Sequence, residues 1–406
     1  MRLIQAKARC VEGVRDSGWF VPGRQSTVIH DPEGSSVAFL FKALQALNPP
    51  YPITEYKPFS SHPESWRQGG YARKVIPEKK TAVIMVFSAV PELVRELSEI
   101  DESLFETDRI EVGRRLDYSR WITFVEISAS GRWSDIKAGF QQLGKLVRTI
   151  EDQADDSFFA DLLDTDRLKG ELADRCRNWL VRLKDTVPDL GGDELRLHQR
   201  CLQQVNLAER FNQARRQVEK WLPPTLAVDC EYLVSEAGPE QFEAAKGPVA
   251  FLLNRLQDAC SGGRDLQLSL EQDQAKILQE LDDEEAFRNL PARPRLEFGR
   301  EQIGITGLEA DSALLSLKKH IYLLCLLSLL VHGRKPLLLL GLPHRAVCRA
   351  EVGTLAGWLQ QLGKSCQLII GTDSAELANG QGWQSVFRVG KGGLGEHMLS
   401  KESDSG

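Results

Sequence analysis

The sequence predicts an α/β protein, a mixed sheet flanked by helices, with a helical stretch in the middle of the chain. Three observations carry that expectation. Residues 28–47, VIHDPEGSSVAFLFKALQAL, read as a strand, a tight loop and an amphipathic helix. Towards the other end an apolar helix, the run LLLL at 337–340 and a second strand at 367–370 alternate as helices and parallel strands do. Between them, from about 133 to 221, apolar residues recur at three- and four-residue spacings.

The bulk properties fit a globular chain. At 406 residues it has room for one large domain or two to three ordinary ones. Hydrophobic residues make up 42% and charged residues 27%, which excludes a disordered or fibrous class. A net charge of -6 argues against a chain that coats nucleic acid nonspecifically, while leaving room for a local basic face. The eight cysteines (Cys10, Cys176, Cys201, Cys230, Cys260, Cys325, Cys348 and Cys366) form no C-x-x-C pair, as expected of reduced cytosolic thiols. The opening MRLIQAKARC lacks the apolar core of a signal peptide. The apolar run at 321–331 is too short to cross a bilayer and reads as a buried helix, so the expected location is cytoplasmic.

The loop at 31–38 has the flanks of a phosphate-binding loop and lacks its chemistry. A working loop reads G-x-x-x-x-G-K-[ST]: its amides cradle phosphates, its Lys reaches their oxygens and its hydroxyl holds Mg²⁺. Here the lead-in strand carries Thr27, Val28 and Ile29, and the helix carries Phe39, Leu40, Ala43, Leu44 and Leu47. The first glycine position is Asp31, the second is Ser36, the lysine position is Val37 and the hydroxyl position is Ala38. Val37 supplies no cation and Ala38 no metal ligand, while Asp31 sets a carboxylate where anionic oxygens would approach. Gly34, Ser35 and Ser36 still suit a turn, and the plain alternative is that Pro32, Glu33 and Gly34 form only that.

Before the loop, a first strand carries Leu3, Ile4, Ala6 and Ala8, and a link through Gly13, Arg15, Gly18, Trp19 and Phe20 leads to a second strand ending at Ile29. This opening resembles that of RecF-like ATPases, which share the ABC-type head with the structural-maintenance-of-chromosomes proteins and the OLD-family nucleases. Cys10 and Val11 depart from the aromatic usual in the turn of that family. The resemblance implies an ABC-type P-loop ATPase head of the AAA family, assembled from both chain ends, with a helical insertion between them.

The rest of the chain follows that order. Asn48 and Pro49 to Pro52 end the helix. A polar segment to Tyr71 is followed by a strand at 81–87, a helix at 91–100, a strand at 121–127 and a polar turn at 129–132. In the middle, Phe140, Leu143, Leu146 and Val147, then Leu172, Cys176, Leu180 and Leu183, mark helices. Breaks at Pro188, Gly191 and Gly192 and the absence of a sustained heptad favour a packed helical subdomain over a long coiled-coil arm. A strand returns at 222–228, and a helix-rich stretch runs from Phe242 to Leu290. It holds Asp282, Asp283, Glu284 and Glu285, which read as a solvated face rather than a metal site. The expected domains are an N-terminal lobe at 1–134, a helical insertion at 135–221, a re-entry strand and helical connector at 222–294, a C-terminal lobe at 295–395 and a disordered tail at 396–406.

The last hundred residues keep the order of the family's motifs with their chemistry replaced. Leu315, Ser316, Leu317, Lys318 and Lys319 stand where a signature loop opens a helix, with Ser316 its vestige and Leu317 and Lys318 in place of two glycines. The Walker B Asp and Glu are Gly341 and Leu342, and the switch His is Asp373. Phosphoryl transfer depends on positioned charge, so no catalytic residue, no cofactor and no metal is expected.

Three functional readings follow from the resemblance. The first is a pseudo-ATPase: a structural or regulatory subunit of a DNA-associated complex, in repair or anti-phage defence. Its partner would be an ATPase or nuclease subunit, or a second copy, with DNA as a further possible partner and no membrane. Arg67, Arg73, Lys74, Lys79, Lys80, Arg114 and Arg115 are its candidate phosphate contacts. The second is an ATP-binding subunit that completes a composite site with an intact ATPase. The third is a protein-interaction adaptor without a nucleic-acid role.

Overall fold

In the computed structural model the described residues are 1–11, 14–33, 36–53, 59, 80–102, 104–127, 133–148, 170–186, 190–235, 247–261, 264–299, 303–390 and 399–401. Their elements in chain order begin with β1 (Arg2–Val11), β2 (Val14–Asp16), β3 (Ser26–His30), α1 (Ser36–Gln45) and β4 (Thr81–Ser88). Next come α2 (Pro91–Ile100), β5 (Arg109–Arg115), β6 (Arg120–Phe124), α3 (Trp133–Arg148), α4 (Gly170–Thr186) and α5 (Gly192–Trp221). The chain continues with β7 (Thr225–Asp229), α6 (Cys230–Ser235), α7 (Pro248–Cys260), α8 (Arg264–Asp283), β8 (Arg295–Phe298) and β9 (Ile303–Thr306). It closes with α9 (Ala313–His332), β10 (Leu337–Gly341), α10 (Val352–Ser365), β11 (Leu368–Thr372), α11 (Ala375–Ala378), β12 (Ser385–Val389) and β13 (Leu399–Lys401).

The chain divides into two compact units, one of residues 1–88, 109–123 and 222–406, the other of 89–108 and 124–221. The helical unit thus takes in 89–108 and 124–134, both expected in the N-terminal lobe.

The first unit holds two main sheets. The six-stranded one has the order β13-β12-β3-β11-β10-β7, and the five strands from β12 to the edge strand β7 are parallel. Parallel strands need both faces covered, and their runs are accordingly apolar throughout: Leu338, Leu339 and Leu340, and Leu368, Ile369 and Ile370, are fully buried. β3 from the N-terminal end lies between β11 and β12 from the C-terminal end, so the two chain ends share one sheet. β7 joins the free side of β10 in register Thr225 to Leu337, which is the strand re-entry expected at 222–228.

The second sheet, β2-β1-β4-β5-β6, is antiparallel at each of β1–β2, β1–β4 and β4–β5. One side chain ties it to the parallel sheet. The Gln367 amide accepts from the Leu3 N–H at 2.9 Å and donates to the Leu3 and Gly23 carbonyls at 2.8 and 3.0 Å.

Helix α9 forms the core of this unit. Its residues 321–327 are all buried, packed with α7, α8 and α10 over Leu338, Leu340 and Ile370. Its length and apolarity suffice to span a membrane, but 72% of its apolar window is buried inside the unit, as expected of a core helix. Ser312 caps its start by accepting from the Leu315 N–H at 3.2 Å, and Gly333, at φ 64°, ends it in the left-handed conformation that glycine adopts without strain.

In the helical unit Phe140, Leu143, Cys176, Leu180, Leu183, Cys201 and Val205 form one core between α3, α4 and α5. A Cβ at Gly139 would overlap the Cys201 sulfur, so glycine there lets α3 approach α5 closely. Phe105, Phe124 and Phe211 form a second aromatic cluster with ring centroids 4.9–6.0 Å apart. The side chains of Leu146 and Val147, and Pro188, lie outside the described residues.

Several features depart from the sequence-based expectation. β2, β5, the β8–β9 pair and β12 fall where no strand is expected. The strand expected over 121–127 ends at Phe124. Within the expected disordered tail, Leu399–Lys401 pair antiparallel with β12 and form an edge strand. Seven cysteines with described side chains carry free thiols, six of them buried.

Candidate functional site

The strand–loop–helix at 26–45 opens on a buried carboxylate. Asp31, 1% exposed, follows β3, and its own N–H donates to the Thr372 carbonyl at 2.8 Å, which fixes it to β11. One carboxylate oxygen accepts from the Ser36 and Val37 N–H groups at 2.8 and 3.1 Å, and the other from the Glu33 N–H at 3.2 Å. Helix starts leave such amides without intrahelical partners. Asp31 therefore does more than repel phosphate: it takes the amides a phosphate would use. Gly34 and Ser35 lie outside the described residues.

The lysine position is filled with hydrocarbon. Val37 is 3% exposed, and a Cβ added at Gly371 on β11 would overlap its Cγ1 and crowd the Phe41 ring. Glycine at 371 is what lets Val37 sit down on the strand. Ala38, in the hydroxyl position, is exposed and carries no donor or acceptor in its side chain.

The far end of α1 is closed by a buried cation. The Arg114 guanidinium, 6% exposed, donates from Nε to the Ala46 carbonyl at 3.0 Å and from Nη2 to the Leu47 carbonyl at 2.8 Å. Nη1 donates to the Tyr118 carbonyl at 2.7 Å. A negative group at the start and a positive one at the end both complement the helix dipole. The expectation that Arg114 contacts phosphate is thus corrected: its guanidinium is engaged inside the fold. Arg115 donates to the Ser119 hydroxyl at 3.1 Å. Lys80 is half-buried, and Arg67, Arg73, Lys74 and Lys79 lie outside the described residues.

At the end of β10, Gly341 has no side chain, and a Cβ there would lie 3.3 Å from the Val228 carbonyl oxygen. Leu342 adopts a left-handed backbone, φ 49° and ψ 46°, held by its N–H donating to the Gly371 carbonyl at 2.8 Å. For a residue with a Cβ that conformation costs about 1–2 kcal/mol. It turns the chain into a short 3-10 segment, Pro343–Ala346, and so delivers His344 and Arg345 to the end of β11.

There they meet Asp373, the residue at the switch position. His344 Nε2 lies 2.7 Å from Asp373 Oδ1, its Nδ1 lies 3.0 Å from the Thr372 hydroxyl, and Arg345 pairs with the other carboxylate oxygen. Burial pulls the His344 pKa down against the opposing pull of Asp373, leaving it below the usual histidine value. The neutral ring then donates from Nε2 to Asp373 and accepts at Nδ1 from Thr372. Burial pushes the Asp373 carboxyl up, but the Arg345 hydrogen bond and the neighbouring charges hold it below the usual carboxylate range. Sequence reasoning missed His344 and Arg345. The signal was present in G-L-P-H-R, a polar pair directly after a buried strand.

Residues 315–319, expected in place of a signature loop, lie at the start of α9. Ser316 sits in the first turn of α9, where its carbonyl lies 2.8 Å from His320 Nδ1. Leu317 is fully buried, Lys318 Nζ is 5.7 Å from the centroid of the Trp358 ring, and Lys319 donates to the Glu309 carbonyl.

The acidic stretch is solvated at Asp283 and Glu285, as expected, and is in addition ion-paired. Asp282 pairs with Arg293 at 2.9 Å, Glu284 with Lys335 and the Ser365 hydroxyl, and Glu285 with Lys364 at 2.9 Å. Among the described residues no three His, Cys, Asp or Glu side chains are grouped so as to hold a metal ion.

No protein-family model and no curated protein matches the chain. Among solved structures it is similar to an SMC head bound to the C-winged helix domain of ScpA, at 10% identity and TM-score 0.42, covering 99% of this chain and 98% of that one. It is also similar to the SMC head domain from Thermotoga maritima, at 11% identity and TM-score 0.36, covering 96% and 95%. A third is the recombination mediator RecF with ATP, from the RecFOR pathway, at 12% identity and TM-score 0.34, covering 99% and 98%. The likeness runs the length of each chain.

Proposed function

We propose that this chain is a catalytically inactive homologue of ABC-type ATPases whose head acts as a structural or regulatory subunit of a DNA-associated complex. The observation that supports inactivity best is Val37. A lysine in that position would reach phosphate oxygens, whereas the valine is buried and packed against Gly371. The metal-ordering and water-polarising positions, Ala38, Gly341 and Leu342, carry no polar side chain. Phosphoryl transfer draws almost all of its rate from such groups.

The DNA association, the cytoplasmic setting and a partner ATPase or nuclease come from the resemblance in sequence order, which supports a setting for the head rather than a contact surface. A pseudo-ATPase of this kind works through its shape, with α1 held by its own side chains at both ends.

Calorimetry of the full chain with Mg-ATP tests the inactive reading. No saturable heat is expected, and binding at micromolar concentration overturns it. Fluorescence anisotropy with duplex DNA tests the second part. Binding that weakens steeply with added salt is expected, and no binding at low salt removes the DNA association.

A further inference from the structure

We propose that Asp31 is a built-in surrogate for a bound phosphate, an internal anion that keeps the start of α1 permanently closed. This rests on the inactive reading above and concerns how that site is regulated. The amides at the start of a helix, together with its dipole, form a ready anion site. In a working phosphate loop the anion arrives with the nucleotide and leaves with it. Here the anion belongs to the chain.

The geometry separates this from ordinary helix capping. A capping residue directly precedes the first turn and binds one or two of its amides. Asp31 lies five residues ahead of Ser36, across the loop, and is almost wholly buried. It receives amides from both sides of the loop, Glu33 on one oxygen and Ser36 and Val37 on the other. Its backbone is anchored to β11 through the Thr372 carbonyl at 2.8 Å, so the carboxylate is tethered to the sheet as well as to the helix. A phosphate oxygen entering the loop would have to displace it from all three amides.

The functional consequence is a head that needs no ligand to hold α1. Its engagement with a partner therefore does not follow a nucleotide cycle, and the contact with Asp31 is autoinhibitory towards any anion that would start one.

The test is chemical rescue in the full chain with D31A, using inorganic phosphate against chloride at matched ionic strength. Phosphate stabilises folded proteins generally by exclusion from their surfaces, so the wild-type protein sets the reference. D31A is expected to melt lower than wild type in chloride and to gain about 2–4 °C more than wild type from phosphate, because the vacated amides bind the added ion. Equal gains, or a D31A protein as stable as wild type in chloride, overturn the surrogate role. If D31A fails to fold in either salt, D31N decides. It keeps the shape and one acceptor oxygen without the charge, and should melt below wild type with no extra gain from phosphate. A D31N protein equal to wild type overturns the proposal. Binding of Mg-ATP by the wild-type chain would sink the inactive reading itself, whereas failed rescue with no ATP binding sinks only the surrogate.

Discussion

His344 Nε2 lies 2.7 Å from Asp373 Oδ1, so the ends of two neighbouring parallel strands are joined by a histidine–carboxylate pair. In the motif order read from the sequence, an acid is expected after β10 and a histidine after β11. The described side chains exchange those places. The imidazole sits three residues past Gly341 and the carboxylate directly after Thr372. With the Thr372 hydroxyl on Nδ1, both ring nitrogens have partners, and the pair links the ends of β10 and β11.

The titration of His344 follows from that setting. Burial lowers its pKa and Asp373 works against the drop, so D373N removes the main opposing pull. Two-dimensional NMR of the histidine ring should place the wild-type midpoint below the usual 6.5 and the D373N midpoint lower still. A wild-type midpoint above 6.5 would contradict a neutral ring. Because the unfolded chain binds this proton first, the group favours the folded state less as pH falls from about 6.5.

Val37 and Gly371 give a second, independent measurement. Adding a methyl group at 371 forces it into Val37, an overpacking that typically costs about 1–3 kcal/mol. Trimming Val37 to alanine opens that space. In a double-mutant cycle of V37A and G371A, followed by urea denaturation, the cost of G371A should therefore shrink in the V37A background. Strict additivity would mean that the two residues do not share the space in solution.

Arg114 is the residue whose role the sequence misleads about most. R114A removes the Arg114 donors from the Ala46 and Tyr118 carbonyls, while the Leu47 carbonyl keeps Arg120 at 3.1 Å, and should cost about 2–4 kcal/mol of stability. R114K restores charge but not the fork, and should recover only part of the loss. If R114A changed DNA affinity while leaving the denaturation midpoint alone, Arg114 would be a contact residue after all.

What could be read in advance was what depends on local pattern. The apolar runs at 27–29, 337–340 and 368–370 announce buried parallel strands because both their faces are covered. β5 stayed hidden for the complementary reason. Its sequence, RIEVGRR, keeps Arg109, Glu111 and Arg115 at half-buried positions, so charge masks the alternation with Ile110 and Val112. The edge strand β13 is three residues long and exists only because β12 pairs with it. At the site, the replaced positions 31, 37, 38, 341, 342 and 373 were legible as absences. What occupies each place was not. Asp31 reads as repulsion until its amide partners are known, and Arg114 reads as surface until the end of α1 is placed beside it.

His332 tests the core in the same pH range through a different helix. It ends α9, where a cation would suit the helix dipole, yet burial and the nearby Arg255 push its pKa down to about 4. Its Nε2 is buried with no hydrogen-bond partner among the described residues. In the unfolded chain this group takes a proton near pH 6.5, and in the folded chain only near 4. Stability should fall progressively as pH drops from about 6.5 towards 4, and stay flat with respect to this group above 7. H332Q carries no titratable ring. The difference in melting temperature between wild type and H332Q should be constant above pH 7 and shift in favour of H332Q on acidification. Parallel pH profiles through that window would show that His332 is protonated equally in both states and that the end of α9 is open to water.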